Sequence, residues 1–133
     1  MKKLDKLTDD ELNKIIAKRK KWVVGEGPAP ADLTRDHERP WGQHPVYGRA
    51  LIPNYAKQRN STLHLLPDLD HTGRRSFVQA LHCILDRDLS SPAVEWSIAV
   101  TDPVDIAVEL LMAAPRQLAE AFVLSQCDAE VEL

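Results

Sequence analysis

The chain has 133 residues, of which 44% are hydrophobic, and its formal net charge is -3 at pH 7. This length suits one domain with its own core, and the near-neutral charge argues against nucleic acid as a partner. Charged residues and Pro115 interrupt the longest apolar window, 104–124, which excludes a membrane span, and two cysteines without CxxC spacing predict reduced, buried thiols in a cytoplasmic protein.

The first predicted element is an N-terminal helix within residues 7–24. Thr8 and Glu11 have the spacing of a capping box, in which each side chain accepts a hydrogen bond from the other residue's backbone N–H. Apolar residues then recur at helical spacing, so one face of the helix packs on the core. We expect the helix to end near Trp22, before two glycines.

Residues 25–53 form a segment rich in proline and glycine, which forbids long helices. The segment also carries aromatic and branched residues, which a flexible linker would not contain. We therefore predict an ordered loop packed on the core, with a short strand near residues 47–52. Long loops in compact domains are often functional, so this segment is the first place to look for a site.

Residues 54–126 are predicted to form an α+β core. A short helix or turn region at 60–69 is interrupted at Pro67, and the spacing within 74–86 favours a helix over a strand. Strict alternation at 93–100 predicts a half-buried strand. The fold class expected for residues 1–133 is thus a helix-rich α+β single domain, with a small antiparallel sheet packed against helices.

Two proline-led segments follow the predicted strand. A helix at 102–114, with Pro103 at its first position, is so apolar that we expect it to be largely buried or to pack a homodimer. Pro115 either kinks that helix or starts a second one that extends to about Gln126. The acidic tail, 127–133, is predicted to fray.

No motif for catalysis, for a phosphate loop or for a cofactor occurs, so we expect no cofactor and favour a non-enzyme. His64, Asp68, Asp70 and His71 offer oxygen and nitrogen ligands that suit a divalent metal ion. The favoured interpretation of this stretch is an Asp-rich turn that caps the next segment. Cys83 adjoins His82, but neighbours on a helix point about 100° apart, so a buried thiol is favoured over a nucleophile.

Several short motifs resemble a known group of proteins. A Leu-Thr-acidic helix start lies at 7–11, Pro-Asn-Tyr lies at 53–55, and Thr-Asp-Pro-Val-Asp-Ile-Ala lies at 101–107. With the tryptophan-bearing loop between them, these motifs resemble small phage proteins of the phage α-β-α sandwich type, which are similar to the NinX-like proteins. The resemblance implies an α+β sandwich of phage or prophage origin, and it implies no catalytic residues.

The leading functional hypothesis is therefore a non-enzymatic phage or prophage accessory protein that binds a host protein or self-associates, with the homodimer as one possibility. Its expected contact surface is the 41–55 loop, with residue types enriched at binding hot spots: Trp41, Tyr47, Arg49 and Tyr55. Trp41 and Tyr47 could instead only fasten the loop to the core. One alternative is a sponge for a phosphorylated metabolite, held by the same loop and by Arg59, Arg74 or Arg75. Another is a small metal-dependent hydrolase that uses the four residues from His64 to His71.

Overall fold

A computed structural model describes residues 2–88, 103–126 and 130–131 of the chain. These residues form a helix-rich α+β fold with a small antiparallel sheet, which confirms the predicted fold class. The helices are α1 (Asp9–Arg19), α2 (Arg59–Leu63), α3 (His71–Asp88), α4 (Pro103–Met112) and α5 (Pro115–Gln126). The strands are β1 (Lys2–Lys3), β2 (Val23–Val24), β3 (Trp41–His44), β4 (Gly48–Leu51) and β5 (Glu130–Val131), and short 3-10 turns lie at Leu4–Lys6 and Leu66–Asp68.

Helix α1 begins as the sequence predicts. The Glu11 backbone N–H donates to Thr8 Oγ1 at 3.2 Å, and the Thr8 N–H donates to Glu11 Oε1 at 3.0 Å, so the capping box is complete. The helix ends at Arg19, slightly before the predicted end. Lys21 has a φ of 69°, and this left-handed residue directs the chain out of the helix and into β2.

Helix α5 is the centre of the fold, and it contacts α1, α2 and α3. Its start at Pro115 shows that this proline begins a separate helix rather than kinking the preceding one. Most of its length is buried, including Leu118, Phe122 and Val123. A helix that is covered on nearly every side acts as the core around which the other elements pack.

One charged residue of this central helix is also buried. Glu120 is 2% exposed, and its carboxylate accepts hydrogen bonds from Arg87 Nη2 at 2.6 Å and from Arg116 Nε at 2.8 Å. Arg116 also donates to Asp9 at 2.9 Å and to the Leu7 carbonyl oxygen at 2.7 Å. Two guanidinium groups thus balance the buried charge, and the network joins α5 to α3 and to the start of α1.

The three-stranded sheet has the antiparallel order β2-β3-β4, in which Val24 pairs with Gly42 and Trp41 pairs with Leu51. Strand β4 lies inside the predicted strand region, 47–52, whereas β2 and β3 were not predicted. Strands β1 and β5 form a separate antiparallel pair. Within the tail that was predicted to fray, Glu130–Val131 is therefore a strand, because it gains backbone pairing with β1.

The middle of the chain agrees with the sequence interpretation. Residues 74–86 lie within α3, so the favoured helix is confirmed. The 60–69 region contains α2 and the 3-10 turn that includes Pro67. The strand predicted at 93–100 lies outside the described residues.

Helix α4 starts where the sequence predicts, but it is more exposed than the sequence predicts. It begins at Pro103 as predicted, but it is not largely buried, because Val104, Val108, Leu111 and Met112 are all exposed. Arg59 caps its C-terminal end, because the guanidinium donates hydrogen bonds to the carbonyl oxygens of Leu110 and Ala113. These are carbonyl groups that the end of a helix leaves without helical partners.

Two further findings concern the described part of the chain. Cys83 is exposed on α3 rather than buried as predicted. No helix among the described residues is long and apolar enough to cross a membrane.

Candidate binding surface

The β3–β4 hairpin has a short and well-ordered turn. His44 pairs with Gly48 across the hairpin, and Gly48 has a φ of 78°, which a glycine adopts without steric cost. His44 Nδ1 accepts hydrogen bonds from the backbone N–H groups of Val46 at 3.0 Å and Tyr47 at 3.1 Å. One imidazole thus fixes two residues of the turn.

Three rings support each other beside this turn. The Tyr47 ring stacks on the His44 imidazole with centroids 4.8 Å apart. The Trp22 ring contacts the same imidazole edge-on, with centroids 4.9 Å apart. Such offset-stacked and T-shaped arrangements are the favoured geometries of aromatic pairs. The rings therefore hold the tip of the hairpin in place against the chain segment that follows α1.

The same residues expose an unusual amount of apolar surface. Tyr47 is 82% exposed and Val46 is 78% exposed, and Val23 on the neighbouring strand is also exposed. We use the name hairpin surface for Val46 and Tyr47 together with the two rings that support them, which are His44 and Trp22. Val23 does not belong to it, because Val23 pairs with Gln43 and its side chain therefore lies on the other face of the sheet from His44. Neighbouring exposed apolar residues such as Val46 and Tyr47 are typical of sites of contact with other molecules.

Charge contributes little to the hairpin surface. Arg49, on β4, forms an ion pair with Asp32 in the preceding loop. This pairing neutralises the guanidinium that the sequence analysis assigned to binding. Interfaces whose core lacks charge and is rich in aromatic residues are typical of contacts between proteins.

Trp41 lies at the other end of β3 and is partly buried. Its indole Nε1 donates to the Gly27 carbonyl oxygen at 3.3 Å. A Cβ atom added at Gly25 would come within 2.5 Å of the ring, so only glycine allows this approach. The indole also lines a groove of about 370 Å³ between α1 and the loop around residues 24–27 and 38–41.

The other residues predicted to bind are used within the fold or lie apart. Tyr55 is buried in the core, and this burial raises the pKa of its phenol to about 12. Arg59 caps α4, and Arg74 donates to the Pro67 carbonyl oxygen at 3.0 Å. Arg75 is exposed on α3, away from the hairpin in the sequence. The structure thus keeps Tyr47 at the surface and places Tyr55 inside.

The four candidate metal ligands do not form a site. His64, Asp68, Asp70 and His71 are all exposed, and Asp68 forms an ion pair with Lys20 at 3.5 Å. Asp70 accepts a hydrogen bond from the Gly73 N–H at 2.7 Å, which is the capping role that the favoured interpretation gave to this turn. Within 2–88, 103–126 and 130–131, no group of three or more histidine, cysteine or acidic residues could hold a metal ion.

One acid–base pair lies between α3 and α4. His82 Nδ1 lies 2.5 Å from Glu109 Oε1, and both side chains are almost fully covered. Cys83, the neighbour of His82, lines a different, largely apolar cavity with Leu4, Ile84 and others. The thiol and the imidazole therefore do not face each other, and the pair serves to join α4 to α3.

Sequence reasoning found Tyr47 but missed the residues that surround it. Trp22 follows a helix, and nothing local shows that the next two residues pair with a strand some twenty residues later. The available signal was the run from Trp41 to Arg49, in which two short strand-like pieces flank a Pro-x-x-Gly turn. No protein family, curated protein or solved structure in the comparisons matches this chain.

Proposed function

We propose that this protein is a non-enzymatic binding protein that contacts a partner protein through the hairpin surface. The observation that carries the proposal is the exposure of Tyr47 and Val46 on a turn that is already fixed by His44 and Trp22. Because the turn is ordered before binding, little conformational entropy is lost when a partner covers it. Tyrosine also contributes large contact area with few rotatable bonds.

The nature of the partner follows from the charge of the surface. Arg49 is neutralised by Asp32, so the hairpin presents apolar and aromatic groups rather than cations. Nucleic acid would require unpaired cations toward the phosphates. We therefore infer a protein partner with an apolar pocket or groove of its own.

The biological setting in this proposal comes from the resemblance described above. The phage-type motifs at 7–11, 53–55 and 101–107 support a phage or prophage accessory protein. Such a protein would bind a host protein in the host cytoplasm. This part of the proposal stands on the motifs alone.

Site-specific photocrosslinking in the natural host tests the proposal. A photoreactive amino acid at position 46 should give a discrete adduct, whereas the same group at Gln79, an exposed position on α3, should not. The substitution Tyr47→Ala should abolish the adduct without lowering the melting temperature, since the side chain is mostly exposed. Equal labelling from positions 46 and 79, or an adduct that persists in Y47A, would contradict the proposal.

A second candidate function is self-association through α4. Val104, Val108 and Leu111 recur at helical spacing and are exposed, which gives this helix an apolar face. A second copy could cover that face about a two-fold axis. Sedimentation velocity should then show a dimer that Leu111→Glu converts to a monomer and Tyr47→Ala leaves intact. A monomeric wild-type chain at high concentration would exclude this function.

A further inference from the structure

The groove beside Trp41 brings together groups that the proposed function does not use. Lys14 and Lys18 lie one turn apart on α1, so both extend from the same face of the helix. Arg39 lines the same groove from the loop before β3, and its Nη2 donates to the Ile52 carbonyl oxygen at 3.5 Å. Neither lysine side chain forms an ion pair or a hydrogen bond within the described part of the chain, so both ammonium groups are available to a ligand.

The groove also contains two carboxylates. Glu26 and Glu38 line it with the three cations, so the formal charge of the lining is three minus two, or +1. An anion of low charge complements such a lining, and the carboxylates can accept hydrogen bonds from neutral hydroxyl groups of the same ligand. The mixture favours a ligand that carries both an anionic group and hydroxyl groups.

The aromatic wall adds a third kind of contact. The Trp41 indole is held in place by the Gly27 carbonyl oxygen and by the close approach of Gly25. Indole rings favour stacking with planar heterocycles, and they attract planar groups with little regard to the identity of the ring. A planar ring beside Trp41 would leave the anionic group within reach of the lysines on α1.

We propose that this groove binds a small phosphorylated molecule with a planar ring and a sugar, of which a nucleoside monophosphate is the simplest example. Lys14, Lys18 and Arg39 would hold the phosphate, because charge-assisted hydrogen bonds to phosphate are shorter and stronger than those between neutral groups. Trp41 would stack on the ring, and Glu38 or Glu26 would accept from the sugar hydroxyls. The volume of about 370 Å³ is at the small end of the range for ligand sites, which fits a mononucleotide.

The site differs from the metabolite-binding alternative that the sequence suggested. Neither Arg59 nor Arg74 lines the groove, because Arg59 donates to carbonyl oxygens at the end of α4 and Arg74 donates to the Pro67 carbonyl oxygen. The cations of the groove come instead from α1 and from the loop before β3. In the sequence, these lysines resemble an ordinary solvated helix face.

Isothermal titration calorimetry with adenosine monophosphate tests the proposal. Ribose 5-phosphate and adenosine serve as truncated probes, since one lacks the ring and the other lacks the phosphate. We expect adenosine monophosphate to bind at least about ten-fold more tightly than either probe, because each probe loses one set of contacts. The double variant K14Q/K18Q should weaken its binding by about ten-fold or more, while Lys6→Gln, on the exposed turn before α1, should not change it.

Further measurements distinguish this site from the hairpin surface and test whether it takes a different ligand. Tyr47→Ala should leave nucleotide binding unchanged, so the site can fail or succeed independently of the proposed function. No binding of adenosine monophosphate by the folded wild-type chain, or equal binding by K14Q/K18Q, would overturn the proposal. A single-stranded oligonucleotide that binds much more tightly than the mononucleotide would also overturn it, by assigning the groove to a nucleic-acid strand.

Discussion

Helices α4 and α5 follow each other along the chain, but they place their apolar residues in opposite surroundings. Helix α5 contains Arg116 and Glu120 and is nevertheless buried over most of its length. Helix α4 is the more apolar of the two, yet Val104 and Leu111 are exposed in the described structure. Apolarity alone therefore does not decide which helix forms the core. Helix α5 forms the core because it contacts α1, α2 and α3. The apolar surface left exposed on α4 is a candidate for contact with another molecule.

The largest expected effect on stability comes from truncating one large apolar residue on each of the two helices. Phe122→Ala on α5 should lower the free energy of unfolding by about 3 to 5 kcal/mol, because it opens a cavity in the core. Leu111→Ala on α4 should change it by less than about 0.5 kcal/mol, because that side chain is 78% exposed. Urea denaturation of both variants measures the difference. A comparable loss in the two variants would mean that α4 is covered in solution and would break the comparison.

The buried charge on α5 gives the next largest effect. Glu120→Gln should lower the free energy of unfolding by about 2 to 3 kcal/mol, because Arg87 and Arg116 lose the carboxylate that balances them. Glu26→Gln is the matched control, since that glutamate is exposed. The same denaturation experiment gives both values, and a Glu120 variant as stable as the control would show that the network contributes nothing net.

The attachment of α4 can be tested separately through its C-terminal cap. Arg59→Ala should cost about 2 kcal/mol, because it leaves the carbonyl groups of Leu110 and Ala113 without their donor. Lys57→Ala, which removes an exposed cation nearby, should be close to neutral. Thermal unfolding followed by circular dichroism compares the two. Equal melting temperatures would indicate that α4 is held by other contacts.

The smallest effect concerns a buried residue that ionises only at high pH. Burial raises the pKa of Tyr55 to about 12, so the folded state favours the neutral phenol. Below the unfolded pKa of about 10 the phenol stays neutral in both states, so it does not lower the free energy of unfolding. As the pH rises from 10 towards 12 only the unfolded state ionises readily, so the free energy of unfolding falls, by about 1.4 kcal/mol at pH 11. Tyr55→Phe should remove this loss, so the variant should gain stability relative to the wild type between pH 10 and 12. A constant difference between the two proteins over that range would contradict the assignment.

The sequence predicted the elements whose signals are local. The capping box at Thr8 and Glu11 and the helix start at Pro103 each depend on a few adjacent residues, and both are found in the structure. For Pro115 the sequence left a kink and a new helix open, and the structure shows the new helix. The α+β class was predicted from such helix signals together with the alternation at 93–100, and that strand lies outside the described residues. Helix α3 was predicted for the same reason, since its apolar residues keep a regular spacing along one face.

Features that depend on distant partners were not predictable in the same way. Strand β2 is only two residues long, and it exists because Val24 pairs with Gly42 in a segment that looked like a loop. Burial of α4 was expected from its composition, but composition does not reveal which helices surround it. The choice between Tyr47 and Tyr55 as a surface residue had the same limit, because both follow turn-forming residues and only the packing places one of them inside.

Arg116 has a consequence for how the protein folds during synthesis. Its guanidinium donates to the carbonyl oxygens of Leu4 and Leu7, which lie 112 and 109 residues earlier in the chain. Leu4 and Leu7 therefore cannot complete these contacts until α5 has been synthesised, and contacts of such long range also slow folding. The segment before α1 must therefore stay free of wrong contacts while the residues between it and α5 are synthesised.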